Sequence, residues 1–282
     1  MSVTVCVAGD VMLDVLVLTQ GSLKVDDDTP AAITLGAGGQ AANVAAWVRA
    51  LGGGARLYGP RTRDTVGQVI EGAMKARGIT LYAEPQDARC GAVVSLVTAG
   101  TRSLASDPGD LGWIDDRLGD TGWLVDAHWL YLSGYLLLRA PDPAVVIRAA
   151  EAARGVGVRV AVDLASAAMI ETYGVQAFCA FVEQLDPAVV FGNEAEWRTL
   201  GVPPGSITRD AVVKRGPRGA SFVVDGVQTS RAVLPGQVVD ATGAGDALAA
   251  GYFVGGPELA MLAAARCVSQ VGAQPRTGAA AG

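Results

Sequence analysis

The strongest chemical signal in the chain is an acidic residue at the start of an apolar helix, directly after a run of small residues. It lies in VVDATGAGDALAAGYFVG, residues 238–255, where Gly243, Ala244 and Gly245 precede Asp246. Such a loop exposes successive backbone N–H groups at a helix N-terminus. Those donors and the helix dipole favour an anion such as a phosphate. A carboxylate beside a phosphate is costly unless it accepts the proton of an attacking hydroxyl. The competing role for Asp246 is a plain helix cap after a glycine turn.

Other segments could support the same chemistry. Asp10 and Asp14 follow the first apolar run, and ligands of open α/β sheets bind beyond the carboxyl ends of the strands. Carboxylates there could accept hydrogen bonds from sugar hydroxyls, or be solvated turn residues. In GAGGQAAN, residues 36–43, Gly38 and Gly39 allow a polar ligand close to the backbone, and Asn43 offers both a donor and an acceptor. Gly36, Gly38 and Ala41 also fit G-x-G-x-x-A, a weak dinucleotide fingerprint. No acidic residue follows the next strand, near Leu57, to hold a ribose. Asn193 and Glu196 could arrange water around Mg²⁺, which keeps several waters. Alternatively, Glu196 is a surface helix residue. In KRGPRG the glycines Gly216 and Gly219 could admit a nucleotide or simply make a hairpin. The sequence contains no GxxxxGK[ST], which disfavours a P-loop enzyme. His128, the single histidine, has no partner at triad or metal spacing and reads as structural.

These residues need positioning elements, and the pattern supplies them. Short valine-rich runs at Val3–Ala8, Trp129–Ser133, Val158–Asp163, Ala188–Phe191, Ala211–Lys214 and Ser221–Val224 read as strands. Helical spacing covers Ala41–Leu51, Val66–Arg77, Ala144–Arg154, Phe178–Leu185, Ala247–Val254 and Glu258–Val271. The alternation implies βαβ units and a mostly parallel sheet. Two strand-rich interruptions, at about 14–36 and 88–106, fit a small separate sheet, the second turning at Gly100. One domain over residues 1–282 is expected, with these segments inserted as a lid. Half of the 282 residues are hydrophobic, 18% are charged and the net charge is −6. That composition supports a large core and gives no basic patch for nucleic acid. Cys6, Cys90, Cys179 and Cys267 show no metal spacing and read as reduced thiols. No leader pattern or membrane-length apolar run is visible, so the expectation is a cytoplasmic protein.

Taken together and in order, Gly9 to Asp14, GGQAANVA, NEAE, KRGPRG and DATGAGD resemble the PfkB/ribokinase family of carbohydrate kinases along nearly the whole chain. The resemblance implies a three-layer α/β/α sandwich with a small β-sheet lid, and ATP-dependent phosphorylation of a hydroxymethyl group on a sugar or sugar-like molecule. It implies Asp246 as the base and the backbone of Gly243, Ala244, Gly245 and Asp246 as an anion hole. Asp14, Gly38, Gly39 and Asn43 would hold the acceptor, with Asp10 beside them. Asn193, Lys214, Gly216, Gly219, Thr242 and Gly272 would line the nucleotide site, and Glu196 would support Mg²⁺ through water. Lys214 stands where the family commonly has a small hydroxyl residue. The loop from Gly272 to Arg276 resembles one that helps many members bind K⁺, although Arg276 replaces a small residue. No acidic residue follows the strand at Leu130–Tyr135, which argues against ribose. The alternatives are a nucleoside kinase of the same family, an NAD-dependent oxidoreductase resting on GAGGQA, and a non-catalytic sugar-binding protein. Arg102 on the second lid segment could contact an acidic sugar or be solvated. Pairing of two copies through the lid would use Leu16, Val17 and Leu18.

Overall fold

Strands whose side chains alternate between two apolar faces need cover on both sides, and helices supply it here. The computed structural model describes residues 2–98, 101–110 and 112–276. The turn expected at Gly100 lies outside them, as do residues 277–282. The strands are β1 (Thr4–Ala8), β2 (Met12–Thr19), β3 (Ala31–Gly38), β4 (Gly54–Tyr58), β5 (Thr80–Leu81), β6 (Gly91–Thr98), β7 (Thr101–Asp107), β8 (Trp129–Leu132), β9 (Arg159–Asp163), β10 (Val189–Asn193), β11 (Asp210–Lys214), β12 (Ala220–Val224) and β13 (Val227–Arg231). The helices are α1 (Gln40–Ala50), α2 (Thr65–Ala76), α3 (Gly134–Arg139), α4 (Pro143–Gly155), α5 (Ala167–Tyr173), α6 (Val175–Leu185), α7 (Glu194–Leu200) and α8 (Ala244–Val268).

A nine-stranded sheet runs β13-β12-β11-β10-β9-β8-β1-β4-β5, and a four-stranded sheet runs β3-β2-β6-β7. The large sheet is parallel from β5 to β11, and β12 and β13 add antiparallel at one edge. Alternation divides its side chains between two cores. Val5, Val7, Tyr131, Ala161, Phe191 and Phe222 pack with α1 and α8 on one face. Cys6, Ala8, Leu130, Leu132, Val162 and Val190 pack with α4 and α6 on the other. Fully burying a large apolar side chain contributes about 1.5–3 kcal/mol, so these two layers fix the sheet as a rigid platform.

Strand β1 pairs with β4 on one side and β8 on the other, so the chain order reverses at this strand. The carboxyl ends of β1, β8, β9, β10 and β11 form one edge, carrying Asp10, Ser133, Asp163, Asn193 and Lys214. An open α/β sheet binds ligands at such an edge. The small sheet begins two residues after Asp10 and returns to the platform at Gly39, which places its inner end over this edge.

Sequence spacing predicts two helices, at Ala247–Val254 and Glu258–Val271, and α8 is two helical runs that meet at the non-helical Gly255 and Gly256, just before Pro257. Proline has no N–H to continue the ladder, and Gly256 at φ 72° absorbs the bend. By length and composition α8 could cross a membrane, yet here it packs in the core against α1. His128 matches its structural reading: the N–H of Thr4 donates to its Nδ1 at 3.1 Å.

Candidate active site

Helix α8 starts abruptly because Gly243 adopts φ 75° and its Cα lies against Ala273, leaving no room for a side chain. The first intrahelical bond runs from the N–H of Ala247 to the carbonyl of Gly243 at 2.9 Å. The N–H groups of Gly245 and Asp246 therefore stay outside the helical ladder, while the N–H of Ala244 donates to Ala241 O at 3.3 Å. Asn43 of α1 donates its Nδ2–H to Asp246 Oδ2 at 2.9 Å. That bond joins the two most informative glycine motifs across 203 residues. Burial pushes the Asp246 carboxyl up to about 7; the Asn43 bond and Lys214 oppose the rise, while Asp163 and Asp10 add to it. A carboxyl poised there can take a proton near neutral pH. A helix cap alone needs no such environment. Among the described residues the Asp246 side chain accepts from Asn43 and from no N–H of the first turn, so the geometry is not that of a plain cap.

Lys214 reaches the same helix end from β11. A Cβ on Gly245 would sit 3.2 Å from Lys214 Cδ and 3.4 Å from its Nζ, so glycine is what lets the lysine lie on the loop. The ammonium donates to both oxygens of Asp163, at 3.0 and 2.8 Å. Asp163 is fully buried and the lysine side chain is 15% exposed. Burial lowers the lysine's proton affinity, but the charges of Asp163 and Glu196 outweigh it and leave the pKa raised. Glu196 lies beside this pair, its own pKa raised by burial and by Asp163 against the pull of Lys214.

Asn193 and Glu196 form the capping box of α7. The Asn193 side chain accepts from the N–H groups of Ala195 and Glu196, both at 2.9 Å. Glu196 accepts from the Asn193 N–H at 2.7 Å and from its Nδ2–H at 2.6 Å. This box is worth about 1 kcal/mol to the helix and fixes Glu196 at the sheet edge. Glu196 is 3% exposed, so the surface-residue alternative is corrected. A buried polar atom near Asp246, Asn43 Oδ1, lacks a hydrogen-bond partner among the described residues. Tyr131 stands on β8, fully buried, with its pKa raised well above the usual phenol range by burial and by the carboxylates of Asp163, Asp246 and Asp10.

On the opposite side, Asp10 accepts from the N–H of Gln40 at 3.0 Å and lies 3.1 Å from the Ser133 hydroxyl. It thus caps α1 from a distance and ties β1 to β8. Burial raises its pKa, against those hydrogen bonds and the charge of Arg139. Gly39 has φ 92°, and a Cβ there would lie 2.5 Å from the Asp10 carbonyl oxygen. Gly38 stacks on Asp14, with 2.9 Å between its missing Cβ and that of the aspartate. Asp10, Asp14, Gly38, Gly39 and Asn43 are therefore brought together. GAGGQA opens α1 from the small sheet, not from a core strand. Its glycines face two carboxylates where a dinucleotide would place its pyrophosphate, so the fingerprint reading does not fit.

The residues expected to line a nucleotide site fall in two places, at the base of α8 and in the turn after β11. Thr242 donates to Asp240 from its N–H at 2.9 Å and from its hydroxyl at 2.5 Å, and Gly272 donates to the other Asp240 oxygen at 3.0 Å. Asp240 thus clamps two loops at the base of α8. Gly219 is explained by packing: a Cβ would overlap the carbonyl of Arg231 on β13. Gly216 (φ 55°) faces open space in the turn between β11 and β12. Asp163, Ser133, Tyr131 and Asp240 were not singled out from sequence. For Asp163 the signal is present, as an acidic residue closing a buried strand in VRVAVD.

The chain matches the pfkB family carbohydrate kinase pattern over residues 3–274. It belongs to that family. Solved structures share its fold at low identity. Adenosine kinase from Sinorhizobium meliloti superposes with a TM-score of 0.79 at 23% identity, covering 97% of this chain and 96% of its own. A nucleoside kinase of Burkholderia thailandensis in complex with inosine gives 0.76 at 19% identity, covering 96% and 91%. A ribokinase II of E. coli in complex with ATP and Mg²⁺ gives 0.79 at 19% identity, covering 97% and 94%. The α/β sandwich with a second small sheet is thus the ribokinase-like fold. The protein is a phosphotransferase of the pfkB family of carbohydrate kinases.

Proposed function

We propose that the protein transfers the γ-phosphoryl group of ATP to a hydroxymethyl group of a sugar or sugar-like molecule, with Asp246 as the general base. The observation that carries this reading is a buried carboxyl, poised at about 7 and held by Asn43, at a helix N-terminus with free N–H donors. The acceptor hydroxyl would lie against Asp246 Oδ1 and Asn43 Oδ1, the orphaned acceptor. Asp246 takes the hydroxyl proton as the oxygen attacks. The N–H groups of Gly245 and Asp246 hold the equatorial oxygens of the transferring group, and the Lys214 ammonium lies beside them. Catalysis by positioning and charge neutralisation suits a loose phosphoryl transition state.

The acids around Lys214 fit a divalent cation. Asp163, Glu196 and Asp246 outnumber the one ammonium, and Mg²⁺ binds through water with few direct protein ligands. Among the described residues no cluster of three ligating side chains forms a direct cage, so Glu196 would act through water. When bound with the nucleotide, Mg²⁺ supplies neutralisation of the phosphate oxygens. The small sheet would serve as a lid that excludes competing water. It also supports pairing of two copies, because Ile33 and Leu35, on the face that carries Val17, are 64% and 60% exposed. Sedimentation as a monomer at micromolar concentration would count against pairing.

The test is ATP consumption by purified protein with Mg²⁺ across pentoses, hexoses, ketoses, sugar acids, sugar phosphates and nucleosides. One acceptor that consumes ATP stoichiometrically supports the reading. Silence across the panel with no ATP binding overturns it. A nucleoside acceptor is the second reading, favoured by the aromatic rings of Trp113 and Tyr135 lining the pocket beside Asp10.

A further inference from the structure

Beside Asp10 lies an open pocket lined by Val11, Pro60, Trp113, Tyr135 and Arg139. Its walls are apolar and aromatic except for Asp10 and Arg139. Arg139 ends α3, the helix that leaves the carboxyl end of β8, and its guanidinium lies 5.1 Å from the centre of the Tyr135 ring. Among the described residues its guanidinium makes no hydrogen bond or ion pair beside that stacking. Other half-buried arginines are satisfied. Arg61 bonds Glu71 and the carbonyl of Ala83, and Arg215 bonds Glu194 and Ser221. A guanidinium carries five donors in a flat fork that matches a carboxylate or phosphate, and here the fork is left for something else. Asp10 does not occupy it, since its oxygens face Gln40 N–H and the Ser133 hydroxyl. The pocket shares Asp10 with the start of α1, where Asp10 accepts from the Gln40 N–H and Gly39 closes on its carbonyl, so it adjoins the expected acceptor site and adds a cation to it.

We propose that Arg139 is a specificity residue that binds an anionic group on the acceptor, so that the substrate is a sugar acid or a sugar phosphate with a free hydroxymethyl group. The proposal rests on the kinase reading above. The hydroxymethyl end faces Asp246, the apolar and aromatic walls cover the carbon chain, and the carboxylate or phosphate lies in the fork of Arg139.

The experiment compares matched acceptors with MgATP: aldonic or ketoaldonic acids and sugar phosphates against their neutral parents, with nucleosides as a further neutral set. The expected result is a higher kcat/KM for the anionic member of a pair. In R139Q the anion-to-neutral ratio of kcat/KM falls on the order of 10²-fold, the usual loss for a charged, paired hydrogen bond. R139K keeps the charge but loses the fork, and is expected to fall between the two. It also serves if R139Q does not fold. Preference for acids over phosphates, or the reverse, identifies which anion the fork reads. Turnover of neutral acceptors alone, abolished in Asp246→Asn, overturns the proposal and leaves the kinase reading standing. Absence of both turnover and calorimetric binding for every anionic acceptor also overturns it. Absence of ATP binding as well overturns both.

Discussion

Replacing Lys214 with methionine removes the ammonium that contacts Asp163. The carboxylate is fully buried and receives the ammonium on both oxygens, at 3.0 and 2.8 Å. Breaking such a pair from one side strands a buried charge and costs about 3–5 kcal/mol, whereas replacing both partners by neutral groups of similar volume is close to neutral. Lys214→Met alone is therefore expected to lose about 3–5 kcal/mol in urea unfolding with an unchanged slope. Asp163→Asn/Lys214→Met recovers most of that loss. Stability is only half of the argument, since Nζ also lies on the Gly245 loop. The double variant, though stable, is expected to lose on the order of 10²-fold in kcat, comparable to the loss of one donor to developing charge. The assay is a double-mutant cycle in urea combined with acceptor-dependent ATP consumption. Additive stability losses, with coupling below about 0.5 kcal/mol, would refute the pairing argument. A stable double variant with wild-type kcat would refute the catalytic one.

Other outcomes follow from the same geometry. Because the Asp246 carboxyl is raised to about 7, kcat/KM should rise as pH passes through about 7 and level off above it. Asn43→Leu removes a bond that lowers that pKa, so the rising limb should move to higher pH; an unmoved limb would assign it to another group. The folded chain also holds a proton on Asp246 that the unfolded chain releases between 3.8 and about 7. This contribution is fully present below the unfolded value and is lost as pH rises through the folded one. Urea unfolding of Asp246→Asn should show a flatter decline across that window than wild type. Gly39→Ala forces a side chain into φ 92° and against the Asp10 carbonyl at 2.5 Å. A loss of at least about 1–3 kcal/mol is expected, with a raised acceptor KM, because Asp10 and the start of α1 move together. Wild-type stability would contradict the close approach.

The core strands and the longer helices were legible because their apolar periods are strong. Val3–Ala8 and Val158–Asp163 differ from β1 and β9 by a residue at one end. Helices α3, α5 and α7 were not assigned, being six or seven residues long and too short for a period to emerge. The capping box of α7 was nonetheless written in the sequence as Asn193-x-x-Glu196, a local signature that a metal reading of the same residues obscured. Asp246 and Asn43 were legible as separate motifs, but their contact spans 203 residues and depends on α1 packing against α8. Lys214 was legible as a nucleotide-site residue that departs from a family pattern, not as the partner of a buried carboxylate. Its partner Asp163 becomes visible once the parallel register sets Phe191 against Asp163 and Asn193 against Lys214. Asp240 joins two loops through side-chain bonds that carry no periodic signal.

The central claim is that Asp246 takes the acceptor's proton. Its most direct test is Asp246→Asn, which keeps the shape and the Asn43 neighbour, measured for both ATP binding by calorimetry and acceptor-dependent turnover. The account predicts nearly unchanged MgATP affinity and a kcat lower by about 10²–10⁴-fold. Turnover within a few-fold of wild type in a folded, ATP-binding variant would contradict it.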